Sequence, residues 1–186
     1  MDNGISRRAL LGGLTALAAN AAVPAFANAP AILSGSGNYR SLALVNDRTG
    51  EKINSVYWVE GEYIPEALEA FNHILRDWRR DKVCRMDPRT IDILSATHSL
   101  LDATEPFKVV SGYRTRETNA LLRKYSRGVA SNSYHIKGMA VDITLASRSV
   151  SQITRAGLSL SAGGVGKYSR SQFVHLDSGP VRRWGR

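Results

Sequence analysis

Apolar positions recur at steps of three and four from Pro65, at Leu68, Phe71, Leu75 and Trp78. This spacing places them on one helix face, and proline suits a first turn, so the pattern predicts an amphipathic helix from Pro65 to about Arg80. Asp87-Pro88 reads as an N-cap followed by a first-turn proline, and Ile91, Leu94, His98 and Leu101 share the stripe of a second helix. Upstream, the β-prone runs Arg40 to Val45 and Glu51 to Val59 flank the turn-rich Asn46-Asp47-Arg48-Thr49-Gly50, which predicts a hairpin covering one edge of the domain. After Glu105-Pro106 the pattern shortens. Short β runs at Phe107 to Val110, Ala140 to Leu145, Gly164 to Tyr168 and Phe173 to Leu176 are interrupted by helical patterns at Thr118 to Tyr125 and Ser149 to Leu158. The expected class is α+β, with an N-terminal hairpin and helices packed on a small, mainly antiparallel sheet. No internal repeat is visible.

The first residues follow a different logic. Ser6-Arg7-Arg8-Ala9-Leu10-Leu11 opens an uncharged stretch that runs to Ala22 and is followed by Ala25-Phe26-Ala27, the small-residue pattern of a cleavage site. The stretch is short of the ~20 residues of a membrane span and is diluted by Gly12, Gly13, Thr15 and Asn20, so it reads as an export signal over residues 1–27. The arginine pair resembles a twin-arginine (Tat) signal, although Leu10 stands where that motif usually has Phe, which leaves Sec export open. Residues 28–38 are Gly, Ser, Ala and Pro without periodicity and read as a linker, and 39–186 as a single domain. The expected compartment is the periplasm, with no integral span once the signal is removed.

The chain has 186 residues, enough for one domain with a real core. Its 25 Lys and Arg against 16 Asp and Glu give a formal charge of +9, and the signal carries only one unit of it, so the domain itself seeks an anionic partner. A nucleic acid is disfavoured by export and by the lack of a Lys/Arg-rich helix with interleaved aromatics. The single cysteine, Cys84, excludes a disulfide framework and a cysteine zinc ribbon and is expected to be a small core residue. Any metal here must therefore use His and carboxylate.

Three segments concentrate candidate chemistry: Ser111-Gly112-Tyr113-Arg114, then Ser133-Tyr134-His135 through Gly138 to Ala140-Val141-Asp142, then Phe173-Val174-His175-Leu176-Asp177. A catalytic zinc site wants about three N or O ligands and one open position, and His135, Asp142 and His175 offer such a set. His135 and Asp142 lie about 10 Å apart along any helix axis, so a helical HExxH-type site is excluded and a bend is needed, for which Gly138 is available. Past the bend Ala140 and Asp142 share a strand face. The same residues could equally be a turn histidine and a strand-end aspartate with structural hydrogen bonds. His73 and His98, isolated within helices, are assigned to the surface or to core hydrogen bonding.

The string S-x-H-x-x-G-x-A-x-D, preceded by S-G-Y-R and followed by a single late-strand histidine, resembles the zinc D-Ala-D-Ala carboxypeptidase and endopeptidase family, whose fold is related to VanX and the hedgehog N-terminal domain. The chain is similar to the murein endopeptidases of that family throughout its mature length, including Ser126-Arg127-Gly128-Val129-Ala130 and Ala162-Gly163-Gly164-Val165-Gly166. The resemblance implies His135, Asp142 and His175 as ligands of one zinc ion per chain, with Arg114, Ser133 and Tyr113 facing substrate and Arg114 also a candidate catalytic residue, holding either a substrate carboxylate or the developing oxyanion. It also implies hydrolysis of peptidoglycan crosslinks, those joining diaminopimelate residues first and D,D-crosslinks second. Peptide stems bearing free carboxylates would suit the basic domain. Where many relatives carry a Glu or His as general base, this chain has Gln172 and Phe173. Asp177, on the same strand face as His175, is then a candidate catalytic residue, either as the base or as a partner orienting a ligand. The loss of the usual base leaves a zinc-containing peptidoglycan-binding module as the alternative.

Overall fold

The computed structural model describes residues 38–126 and 128–185; the expected export signal and all but the last residue of the expected linker lie outside them. Strands β1 (Tyr39–Asn46) and β2 (Lys52–Val59) form the expected hairpin. Asn46 closes it, its side-chain oxygen accepting from the Arg48 amide at 2.9 Å and the Thr49 amide at 3.2 Å. The two-residue β3 (Glu62–Tyr63) pairs with β2, and α1 (Pro65–Ile74) and α2 (Pro88–Leu100) follow. Then come β4 (Phe107–Ser111), α3 (Arg116–Tyr125), a 3-10 turn (Tyr134–Lys137), β5 (Ala140–Thr144), α4 (Val150–Ser159), β6 (Gly164–Tyr168), β7 (Phe173–Asp177) and β8 (Arg182–Gly185).

All eight strands belong to one sheet, ordered β3-β2-β1-β4-β5-β7-β6-β8. The α+β class holds, but the hairpin is not a separate cover over an edge and the sheet is not small. β1 runs parallel to β4, with Leu44 opposite Phe107, and so extends the sheet. The second parallel pair joins β6 to β8, and the other pairings are antiparallel. Helices α1, α2 and α4 pack on one face, and Leu42, Leu44, Phe71, Leu94, Phe107, Val141, Ile143, Val174 and Leu176 fill the space between. Each such side chain contributes about 1.5–3 kcal/mol on burial.

That core dictates what the opposite face carries. Strand side chains alternate, so with Val141 and Ile143 turned inward, Asp142 must point to the other side. Val174 and Leu176 do the same for His175, which lies directly across from Asp142 in the ladder.

Two expectations need correction. Helix α1 ends at Ile74, well short of Arg80, because tertiary groups take the carbonyls that further turns would use. The Asn46 side-chain Nδ2 donates to the Ile74 carbonyl at 2.9 Å, and the Tyr113 backbone amide donates to the Leu75 carbonyl at 2.7 Å. Residues 77–82 form a turn instead, with buried Asp77 accepting from the amide and hydroxyl of Thr115 and from the amide of Arg79. Trp78 thus kept its helical spacing without being in the helix. Cys84 is half-buried in the loop before α2, outside the apolar core. The cap of α2 matches expectation, the Asp87 carboxylate accepting from the Arg89 amide, and on α4 Ser149 with Gln152 forms a reciprocal capping box that the sequence pattern did not announce.

Candidate metal centre

His135 sits in the 3-10 turn, where the Ser133 hydroxyl accepts from its amide at 3.3 Å. Gly138 then takes φ +68, the left-handed bend that brings the chain back into β5. A Cβ there would also strike the Arg85 carbonyl, so glycine is required twice over. The bend sets His135 above the Asp142–His175 pair. His135 Nε2 lies 3.1 Å from His175 Nδ1 and 3.2 Å from Asp142 Oδ1, and the latter two atoms are 2.9 Å apart. A tetrahedral ion with ~2.0 Å bonds has ligand–ligand edges of about 3.3 Å, so these three atoms form nearly one face of such a site.

The outer hydrogen bonds fix which nitrogen points inward. His135 Nδ1 lies 2.7 Å from the Gly112 carbonyl, which can only accept, so this nitrogen carries the proton and Nε2 presents a lone pair. His175 Nε2 donates likewise to Asp177 Oδ2 at 2.9 Å, leaving Nδ1 to face inward. With both rings neutral, three acceptors converge with no donor among them, a set suited to a cation. Each of the three side chains is nearly inaccessible to solvent. Burial lowers the His135 pKa to about 4, with Arg114 and His175 adding to the effect against the attraction of Asp142. Burial would raise the Asp142 carboxyl, but His135, His175 and Arg114 hold it well below the usual carboxylate range. For His175 burial is outweighed by hydrogen bonds to Asp142 and Asp177, and its pKa is raised.

Arg114 donates from Nε to Ser111 Oγ at 2.8 Å and from Nη2 to the second Asp142 oxygen, so it braces the ligand while lining the cleft. Ser133 lines the same cleft of about 570 Å³. Tyr113 does not: its ring packs against the core and borders a different depression, beside Arg80 and Ile136. Gln172 lies in the β6–β7 turn, outside the cleft lining, and Phe173 stacks on Tyr168 at 4.4 Å between ring centres.

Asp177 is fully buried, and both its oxygens are committed. Oδ1 accepts from the Gly164 amide (3.2 Å), the Gly179 amide (2.9 Å) and Arg182 Nη1 (2.9 Å), while Oδ2 accepts from His175 and from Arg182 Nη2 (2.7 Å). It stands behind the His175 ring, on the side away from the convergent atoms. Burial would raise its carboxyl, but the bonds from His175 and Arg182 outweigh that and lower it.

Strand β8 has no counterpart among the elements that the sequence pattern predicts, and it brings two further side chains to this face. Its Trp184 ring packs 5.1 Å from His175, and the Arg182 guanidinium lies between the Tyr134 and Trp184 rings. Two rows run across the strands of this face: Ser111, Asp142, His175, Gly166 and Trp184 in one, Ala140, Asp177, Gly164 and Arg182 in the next. Glycine stands in β6 at both rows because a Cβ at 164 would overlap Arg182 and Asp177, and one at 166 would overlap Trp184. The alternation Gly164-Val165-Gly166 was the available signal, since strand glycines mark close approach.

A family model described as peptidoglycan L,D-endopeptidase MepK matches residues 34–184. The chain is 44% identical over 181 residues to the peptidoglycan L,D-endopeptidase MepK of Escherichia coli (strain K12), covering 96% of this chain and 97% of that one. It is 38% identical over 146 residues to a probable peptidoglycan L,D-endopeptidase MepK of Haemophilus influenzae, covering 78% of each.

Proposed function

The chain belongs to the peptidoglycan L,D-endopeptidase MepK family, and from that premise we propose that it is a zinc-dependent hydrolase of peptidoglycan L,D-crosslinks. The observation that carries the zinc assignment is the convergence of His135 Nε2, Asp142 Oδ1 and His175 Nδ1, with an acceptor, the Gly112 carbonyl or Asp177, at the outer nitrogen of each imidazole. When bound, zinc would supply Lewis-acid polarisation of a peptide carbonyl and activation of water at neutral pH.

The chain's own residues supply position and charge. Gly112 and Asp177 hold the two imidazoles in their ligating tautomers, and Arg114 holds the Asp142 carboxylate by its outer oxygen. Arg114 Nη1 remains available to the cleft, where it can donate to a substrate carbonyl oxygen as charge develops on it. Tyr168, Phe173 and Trp184 wall the cleft beside His175 and limit water around the scissile bond. In this reading Asp177 is a positioning residue and not the base, because five donors already occupy its oxygens. Extracytoplasmic action follows from the substrate, and export through the Arg7-Arg8 signal is part of the proposal. Among the described residues no helix is long and apolar enough to cross a membrane.

One observation favours a second reading, a zinc-containing peptidoglycan-binding module: among the described residues lining the cleft, Asp142 is the only carboxylate. The deciding experiment incubates the full chain with isolated peptidoglycan and resolves the muropeptides by mass spectrometry. L,D-crosslinked dimers should fall to monomers with zinc, persist with chelator, and persist with His135→Ala. Retained sedimentation with peptidoglycan and no loss of any dimer would establish the binding module instead.

A further inference from the structure

Of the four arginines among the described residues lining the cleft, two already hold an acid. Arg114 pairs with Asp142 and Arg182 with Asp177. Two do not. Arg48, in the β1–β2 turn, and Arg79, in the turn after α1, line the same cleft as the metal centre, and neither guanidinium has an acidic partner among the described residues.

Both sit on turns that cannot easily move aside. The Arg48 turn is closed by Asn46, which is 3% exposed and also tied to α1, and the Arg79 turn by Asp77, which is 1% exposed. The Arg79 guanidinium lies 4.2 Å over the Trp78 ring, so part of its ordering is complete before any ligand arrives. We propose that Arg48 and Arg79 form a carboxylate-binding subsite on the cleft wall, which takes an anionic group of a peptide substrate whose scissile bond lies at the metal centre. The proposal rests on the hydrolase reading for the identity of that substrate, a crosslinked stem peptide carrying free carboxylates.

The electrostatics agree with this. Partial burial lowers the Arg79 pKa, and repulsion from Arg114 and Arg48 adds to it against the attraction of Asp77, so the group stands in a crowd of cations that an anion would relieve. The only carboxylate among the described lining residues is Asp142, already engaged by Arg114. An incoming carboxylate therefore meets no other free acid in the described lining of the cleft, since Asp77, which attracts Arg79, is buried beneath its turn. Both arginines are exposed at the rim, which limits each contact to a severalfold effect and makes it salt-sensitive.

The test compares the full-length zinc-loaded chain with the Arg48→Ala/Arg79→Ala double variant. The substrates are purified L,D-crosslinked muropeptide dimers with their carboxylates free and the same dimers with those carboxylates amidated. The wild type should favour the free-carboxylate dimer through KM by about tenfold, less as salt rises, and the double variant should lose that preference while holding the same zinc. Equal KM for the two dimers in the wild type, or an undiminished preference in the variant, overturns the subsite. Calorimetric titration of both dimers into the same chains reads the preference without turnover. Preferential binding of the free-carboxylate dimer with no cleavage of either would keep the subsite and refute the hydrolase reading.

Discussion

Replacing Asp177 by Asn separates orientation of a ligand from acceptance of a proton. The side chain keeps its size, but one oxygen becomes an NH2 group. Placed at the Oδ1 position, that group would face the amides of Gly164 and Gly179 as well as Arg182; at the Oδ2 position it faces His175 Nε2 and Arg182 only. The second choice forfeits fewer bonds, so the new donor should point at His175. Nε2 must then give up its proton, the proton moves to Nδ1, and the nitrogen aimed at the metal loses its lone pair. Loss of an outer partner of this kind costs about 10- to 100-fold in metal affinity. The Arg182 side chain also loses its counter-charge, and because it is 35% exposed the stability cost should be about 1–3 kcal/mol, below that of a fully buried pair. For a domain of this size each kcal/mol lowers Tm by about 2–4 °C. Competition with a fluorescent zinc chelator gives the affinity, and muropeptide turnover is measured at limiting and at excess zinc. Turnover should recover when zinc is raised. Unchanged zinc affinity with turnover about a hundredfold lower at every zinc concentration would show that Asp177 accepts the proton, and the orienting role would be wrong.

The purified chain should carry one zinc ion, and Asp142→Ala should lose most of it on dialysis against a weak chelator, since only one set of three convergent ligands exists among the described residues; elemental analysis checks both. Gly166→Ala should lower zinc affinity without touching a ligand, because the added methyl displaces the Trp184 ring that packs on His175, and chelator competition reads the loss. Changing Arg7 and Arg8 together to Lys should hold precursor in the cytoplasm if export uses the twin-arginine route, and cell fractionation with immunoblotting shows which route operates.

How much of this was legible in sequence follows from the range of the forces involved. Caps and short apolar runs are local, so α2, α4 and the strands β4 to β7 appear near where their patterns placed them. The end of α1 was set by Asn46 and Tyr113, which are distant in sequence and leave no trace in a three-and-four periodicity. Strand β8 has four residues and only two that face the cleft, too few for alternation to show. The three convergent residues are the ones the sequence singled out, because their types and intervening glycine are themselves chemical information. The saturation of Asp177 was not legible, since it depends on Arg182 reaching across a strand that glycine leaves bare. Tyr113 was grouped with Arg114 by adjacency, yet consecutive residues leaving a strand diverge, and its ring went to the core.

The two rows across the sheet also impose a condition of parity. Arg182 and Trp184 reach Asp177 and His175 only because β8 pairs with β6 in one register, and neighbouring residues Arg183 and Gly185 face the other way. One residue gained or lost between Asp177 and Arg182 would exchange the two sets and empty both rows at once. A change of two would restore the facing but leave the guanidinium a full step from its carboxylate. The short connection 178–181 is thus constrained by counting as well as by chemistry. Its length cannot change, and its composition is held at buried Ser178, whose hydroxyl accepts from Thr90 and donates to Asp87, and at Gly179, where any side chain would meet the Tyr134 ring.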